Sequence, residues 1–128
     1  MRFTASCITW QTENGVALLG FADDEFHTTQ YLLLQRTLEP DQQDRALGMD
    51  RAYMEWSEQS QSAYGHVEEA RLRRDGITLW LDPATAAAVS NGESLEIAFD
   101  VTAPRLQEIA EHLRLLIGPD RVHVTLNH

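Results

Sequence analysis

Residues 95–117 read LEIAFDVTAPRLQEIAEHLRLLI, and two hydrophobic periods meet inside them. Through Val101 the period is two. Leu95, Ile97, Phe99 and Val101 share one side and Glu96, Ala98 and Asp100 the other, as in a strand with one buried and one wetted face. From Leu106 the period lengthens. Leu106, Ile109, Ala110, Leu113, Leu116 and Ile117 fall at i, i+3, i+4, i+7, i+10 and i+11, the stripe of an amphipathic helix. Thr102 stands where an N-cap oxygen is needed, and Gly118-Pro119 where a helix stops. The spacing predicts a strand followed by a helix over 103–117, with Leu106, Ile109, Leu113 and Leu116 packed on the Leu95, Ile97 and Phe99 face.

Outward from this stretch the chain is rich in strands. Asn14-Gly15 and Asp75-Gly76 sit between β-like runs and suit two-residue hairpin turns at positive φ. The first joins strands at about 2–12 and 15–22, the second at about 66–74 and 77–81. Tyr31-Leu32-Leu33-Leu34 is apolar on both faces, as a central strand is, and 52–56 is a further strand. Asp82-Pro83 opens a short helix that Asn91-Gly92 stops. Val122, Val124 and Leu126 suit a last strand, so 119–128 is read as a strand or a tail. Many strands first and a long helix late predict one α+β domain over 1–128: a mainly antiparallel β-sheet of six or more strands, with one long C-terminal helix and one short helix packed on one face.

Two polar stretches, 23–29 and 39–50, read as surface loops, where recognition is commonly carried on a rigid sheet. They contain Asp23, Asp24, Glu25, Glu39, Asp41, Asp44 and Asp50. They flank the strand at 31–36 and leave its opposite ends, so a partner touching both would lie along that sheet. A third polar stretch, 59–65, reads as a loop with Gly65 at a positive-φ turn. Its aromatic residue, Tyr64, is either a lid over the sheet edge or an interface anchor.

The 128 residues are 43% hydrophobic and 23% charged, enough apolar material for one core without disulfide or metal support. Cys7 is the single cysteine, so an intrachain disulfide is excluded, and its alternation with Phe3 and Ala5 reads as a small buried hydrophobe. No stretch approaches a membrane span. A cytoplasmic, soluble protein is expected. Twenty carboxylates face ten basic residues, all of them arginine, for a net charge of −10. Residues 13–69 hold twelve of those acids and three of the arginines. A field of this sign repels nucleic acid and anionic lipid and attracts basic partners.

The sequence contains no GxGxxG, GxxxxGK[ST], GxSxG, HExxH or CxxC. His66-Val67-Glu68 resembles the start of a deaminase zinc motif but lacks the PCxxC that completes it. A calcium loop begun at Glu39 would place Asp44 where glycine is required and Arg45 inside the cage. No catalytic residue, metal site or cofactor is therefore assigned. Two readings of the residues stay open at this point: an acidic protein-interaction module, and a hydrolase using paired carboxylates from the acidic loops.

Gly20-Phe21-Ala22-Asp23-Asp24-Glu25-Phe26, Tyr31-Leu32-Leu33-Leu34-Gln35-Arg36, Gln43-Asp44, Leu47-Gly48-Met49-Asp50 and Ser62-Ala63-Tyr64-Gly65 occur in this order and spacing. Together they resemble immunity protein family 10 of the bacterial polymorphic toxin systems, over about residues 1–117. The chain departs from the family pattern at His66, where a glycine is expected, and after Gly118. The resemblance implies a small cytoplasmic protein that binds a cognate secreted toxin and blocks it, with no catalytic residue of its own. A toxin that cuts nucleic acid has a basic cleft, so charge alone points to a nuclease met by the acidic loops. The expected partner surface comprises Asp23, Asp24, Glu25, Glu39, Asp41, Asp44, Asp50 and Tyr64. The expected partner is a protein toxin, with no nucleic acid, no membrane and no predicted homodimer.

Overall fold

The computed structural model describes residues 2–38, 42, 52–65, 67–89 and 94–125. Its strands are β1 (Arg2–Thr4), β2 (Cys7–Glu13), β3 (Val16–Ala22), β4 (Tyr31–Thr37), β5 (Ala52–Trp56), β6 (Glu58–Gly65), β7 (Val67–Arg73), β8 (Gly76–Leu81), β9 (Ser94–Ala98) and β10 (Val122–Thr125). Its helices are α1 (Pro83–Val89) and α2 (Ala103–Ile117). The class is α+β, as expected. The strands divide between two sheets of five, where the sequence reading drew a single sheet. Strands β2 to β6 form an antiparallel meander in chain order. The other sheet runs β1-β9-β8-β7-β10 and is mixed, because β1 lies parallel to β9 and β10 parallel to β7.

The change of sheet falls between two consecutive residues. The Ala5 amide donates to Ala98 O at 2.7 Å, in the mixed sheet, and the Ser6 amide to Ala22 O at 3.0 Å, in the meander. The expected strand at 2–12 is therefore two strands. The change also alters which way Cys7 faces, so it is half-buried on the outer side of the meander rather than in the core.

Local signals hold where the information is local. Asn14 and Gly15 have φ of 53° and 76°, the two positive values a type I′ turn requires, and Glu13 pairs with Val16 across it. The second hairpin forms through a different turn. Arg73 pairs with Gly76, so Arg74 and Asp75 make the connection, neither at positive φ. Gly76 serves close packing instead, since a Cβ there would come within 2.7 Å of the Ile97 carbonyl oxygen. Asp82 caps α1 by accepting from the Thr85 amide at 2.9 Å, and Thr102 caps α2 by accepting from the Arg105 amide at 3.4 Å. Gly118, at φ 99°, ends α2.

The two sheets and α2 share one apolar cluster. Across it Phe3 meets Trp56 edge-on at 5.4 Å and Phe21 stacks on Phe99 at 5.9 Å, each pair joining the β1–β9 side to the meander. Leu106, Ile109, Ala110, Leu113 and Leu116 form the buried stripe of α2. Its chief partners are β3 and β4 of the meander and β7 and β10 of the mixed sheet, rather than the 95–99 face. The short helix α1 packs on β5 and β6. Mixed sheet, α1 and α2 thus all meet the meander from one side, the side that buries Ala17, Leu19, Phe21, Leu32, Leu34, Met54 and Trp56.

Candidate functional site

The residues that alternate with this buried set form the meander's outer face. Strand pairing arranges them in cross-strand rows. One row is Cys7, Ala22 and Tyr31; the next is Thr9, Gly20, Leu33, Glu55 and Ser62; a third is Gln11, Leu18, Gln35, Tyr53 and Tyr64. Small side chains at Cys7, Gly20 and Ala22 leave a depression that Thr9, Thr28, Tyr31 and Leu33 surround, a mainly apolar pocket of about 240 Å³. Gly20 opens its floor: a Cβ there would stand 3.2 Å from Thr9 Oγ1.

Beside the pocket the face turns aromatic. Glu55 accepts hydrogen bonds from two phenols, Tyr53 at 2.6 Å and Tyr31. The bond to Glu55 holds the Tyr53 phenol above its ordinary range, because losing the proton would set two anions against each other. The Tyr64 ring tilts against Tyr53 at a centroid distance of 5.3 Å, and 43% of Tyr64 is exposed. Tyr64 thus lies in strand β6, where the polar run had suggested a loop. Gly65 is also strand, without the positive φ expected of it, and its small size serves the approach of α1.

The loop between β3 and β4 bounds the other end of the face. Two of its carboxylates organise the loop itself. Asp24 Oδ1 accepts from the amides of Phe26 and His27, both at 2.9 Å. Asp23 accepts from the Thr29 amide at 3.0 Å and from the Thr29 hydroxyl, and these bonds, the hydroxyl foremost, hold its carboxyl below the ordinary carboxylate range. Glu25 stays exposed, and Phe26 beside it is 83% exposed. Glu39, Asp41, Asp44 and Asp50 lie outside the described residues. Of the expected surface, the structure brings Asp23, Asp24 and Glu25 to one border of the outer face and Tyr64 to another. Sequence reading missed Phe26, Tyr31, Tyr53 and Glu55. Phe26 carried a usable signal, a large aromatic inside an acidic run. The other three become neighbours only through register.

The mixed sheet's outer face is of a different kind. Glu69 accepts from Arg71 at 3.3 Å and lies 3.4 Å from His123, while Arg73 reaches Asp75 at 3.1 Å and Arg2 lies 4.0 Å from Glu96. The Arg71 guanidinium covers the Trp80 ring at 5.1 Å. Opposite charges there satisfy one another along the strands, as on a solvated sheet. Among the described residues no group of three His, Cys, Asp or Glu is placed to hold a metal ion, and no helix is long and apolar enough to cross a membrane.

The model of a protein family described as Immunity protein 10 matches residues 4–107. The matched span takes in the whole meander, the loop at 23–29 and most of the mixed sheet. No curated protein matches the chain.

Proposed function

The chain belongs to the immunity protein 10 family, and from that premise we propose that it binds a cognate secreted toxin through the meander's outer face and blocks it. The contrast between the two outer faces carries this reading. One sheet pairs its charges internally; the other presents a tyrosine cluster, an apolar pocket and an acidic loop with an exposed phenylalanine at its tip. Aromatic anchors beside a polar rim are the composition of binding hot spots. Glu25, together with Glu39, Asp41, Asp44 and Asp50, adds a negative field that speeds encounter with a basic partner, and Asp23 and Asp24 shape the loop while contributing to it. That field favours a nuclease toxin with a basic cleft, met in the cytoplasm where its substrate lies. Inhibition of this kind uses no catalytic residue and no cofactor.

The test is co-expression with the product of the gene adjacent to this chain's own, which this reading expects to be the toxin. Cells making the toxin survive when the chain is present and die when it is absent, and the two proteins co-purify. Death in both cases with no complex would sink the reading.

A further inference from the structure

Resting on the immunity reading, we propose that the meander's outer face is a two-part socket for the toxin: the pocket over Gly20 takes one apolar side chain, and Glu55 takes a basic side chain from the same partner segment. Size decides the first half. Pockets that hold drug-sized ligands run from roughly 300 to 1,000 Å³, and this one, at about 240 Å³ and mainly apolar, suits a single large side chain better than a free ligand. Its limits are set by backbone register, since Gly20 pairs with Thr9 on one side and Leu33 on the other.

The second half rests on Glu55. It occupies the same cross-strand row as Gly20, two strands away, which places it roughly 10 Å from the pocket floor at ordinary strand spacing. Two phenols fix its carboxylate, yet an ionised carboxylate offers about four acceptor sites. Among the described residues, no arginine or histidine forms an ion pair with it. A cation arriving at Glu55 meets the carboxylate and the two phenol oxygens that flank it, so it finds an ionic partner and further acceptors together. The chain's net charge of −10 and the acidic loop bordering the pocket select a basic partner over an acidic one.

The experiment measures Kd for the purified product of the adjacent gene, the toxin this reading expects, at low and high salt, against wild type and four variants. Gly20→Val fills the pocket. Thr9→Arg sets a cation on its rim from the edge strand β2, away from the core, and keeps the test informative should the valine variant fail to fold. Both should weaken binding by about tenfold or more, the size of a hot-spot loss. Glu55→Gln should weaken it several-fold and reduce its salt dependence, whereas Arg71→Ala on the opposite outer face should leave Kd within about twofold. Wild-type binding with Thr9→Arg and Glu55→Gln indistinguishable from it would overturn the socket and leave the immunity reading standing. Failure of the wild type to bind the toxin would remove both. Sedimentation of the free chain supplies a further outcome: a dimer that Thr9→Arg dissociates would assign the face to a second copy and overturn the toxin socket.

Discussion

Gly65 of β6 lies directly against Thr85 of α1: a Cβ built on the glycine would overlap the threonine hydroxyl and come within 2.9 Å of its methyl group. Thr85 is buried, and its amide is tied to the Asp82 cap, so the residue in the way belongs to a fixed first turn and not to a flexible end. The glycine sets how closely α1 seats on the edge of the meander. Gly65 pairs with Ala52 and lies one residue beyond Tyr64, so the same contact supports the strand that carries the exposed tyrosine.

Gly65→Ala is therefore expected to destabilise the fold by about 1–3 kcal/mol, the usual cost of forcing an extra carbon into a packed site. Thr85→Ala in the same chain should recover part of the loss by removing the overlapping γ atoms. Urea melts of the three variants measure both effects. A loss under about 0.5 kcal/mol in the single variant would mean that α1 shifts without penalty.

Leu113 is fully buried in the stripe of α2, the helix that packs against β3 and β4 of the meander and β7 and β10 of the mixed sheet. Leu113→Ala should cost about 2–5 kcal/mol, combining lost apolar burial with the cavity left behind. Leu115, exposed on the other side of the helix, is the matched control, and Leu115→Ala should stay within about 0.5 kcal/mol of wild type.

Asp23 gives the loop at 23–29 a defined pH response. Its folded-state pKa lies below the ordinary value of 3.8, so its ionised form is the one the loop favours. The stabilisation is present above the ordinary pKa and is lost as pH falls through the folded value. Carboxyl carbon shifts should show Asp23 titrating below 3.8, with protection of the Thr29 amide declining over the same range. Asp23→Ala should remove that protection at neutral pH and leave the core melting temperature unchanged.

Charge acts on encounter more than on fold. Substituting Glu25→Gln, Asp41→Asn and Asp44→Asn together spares Asp23 and Asp24, whose carboxylates order their loop. Association with the toxin domain should slow several-fold and lose part of its salt dependence, with little change in dissociation or melting temperature. Stopped-flow rates across a salt series measure this; equal rates and slopes for both proteins would reduce these acids to solvated turns.

Helix α2 was legible residue by residue because everything that defines it lies within one short span: a 3.6-residue apolar period, a capping threonine and a stop glycine. The Asn14-Gly15 hairpin was legible for the same reason, its two positive φ values being a property of the turn residues themselves. Strand β6 was not, because Glu58–Gly65 is polar and is held in the meander by pairing with β5. The division into two sheets was not legible either. It rests on the Ala5 and Ser6 amides choosing partners far along the chain, and on parallel pairs of β1 with β9 and β10 with β7. Backbone hydrogen bonds carry no side-chain signature, so period and composition determine that a strand forms and which of its faces is apolar, while the partner is chosen by the packing of the whole molecule. The outer face belongs to that second kind of information. Cys7, Gly20, Leu33 and Glu55 are scattered over four strands, and only their register makes them neighbours.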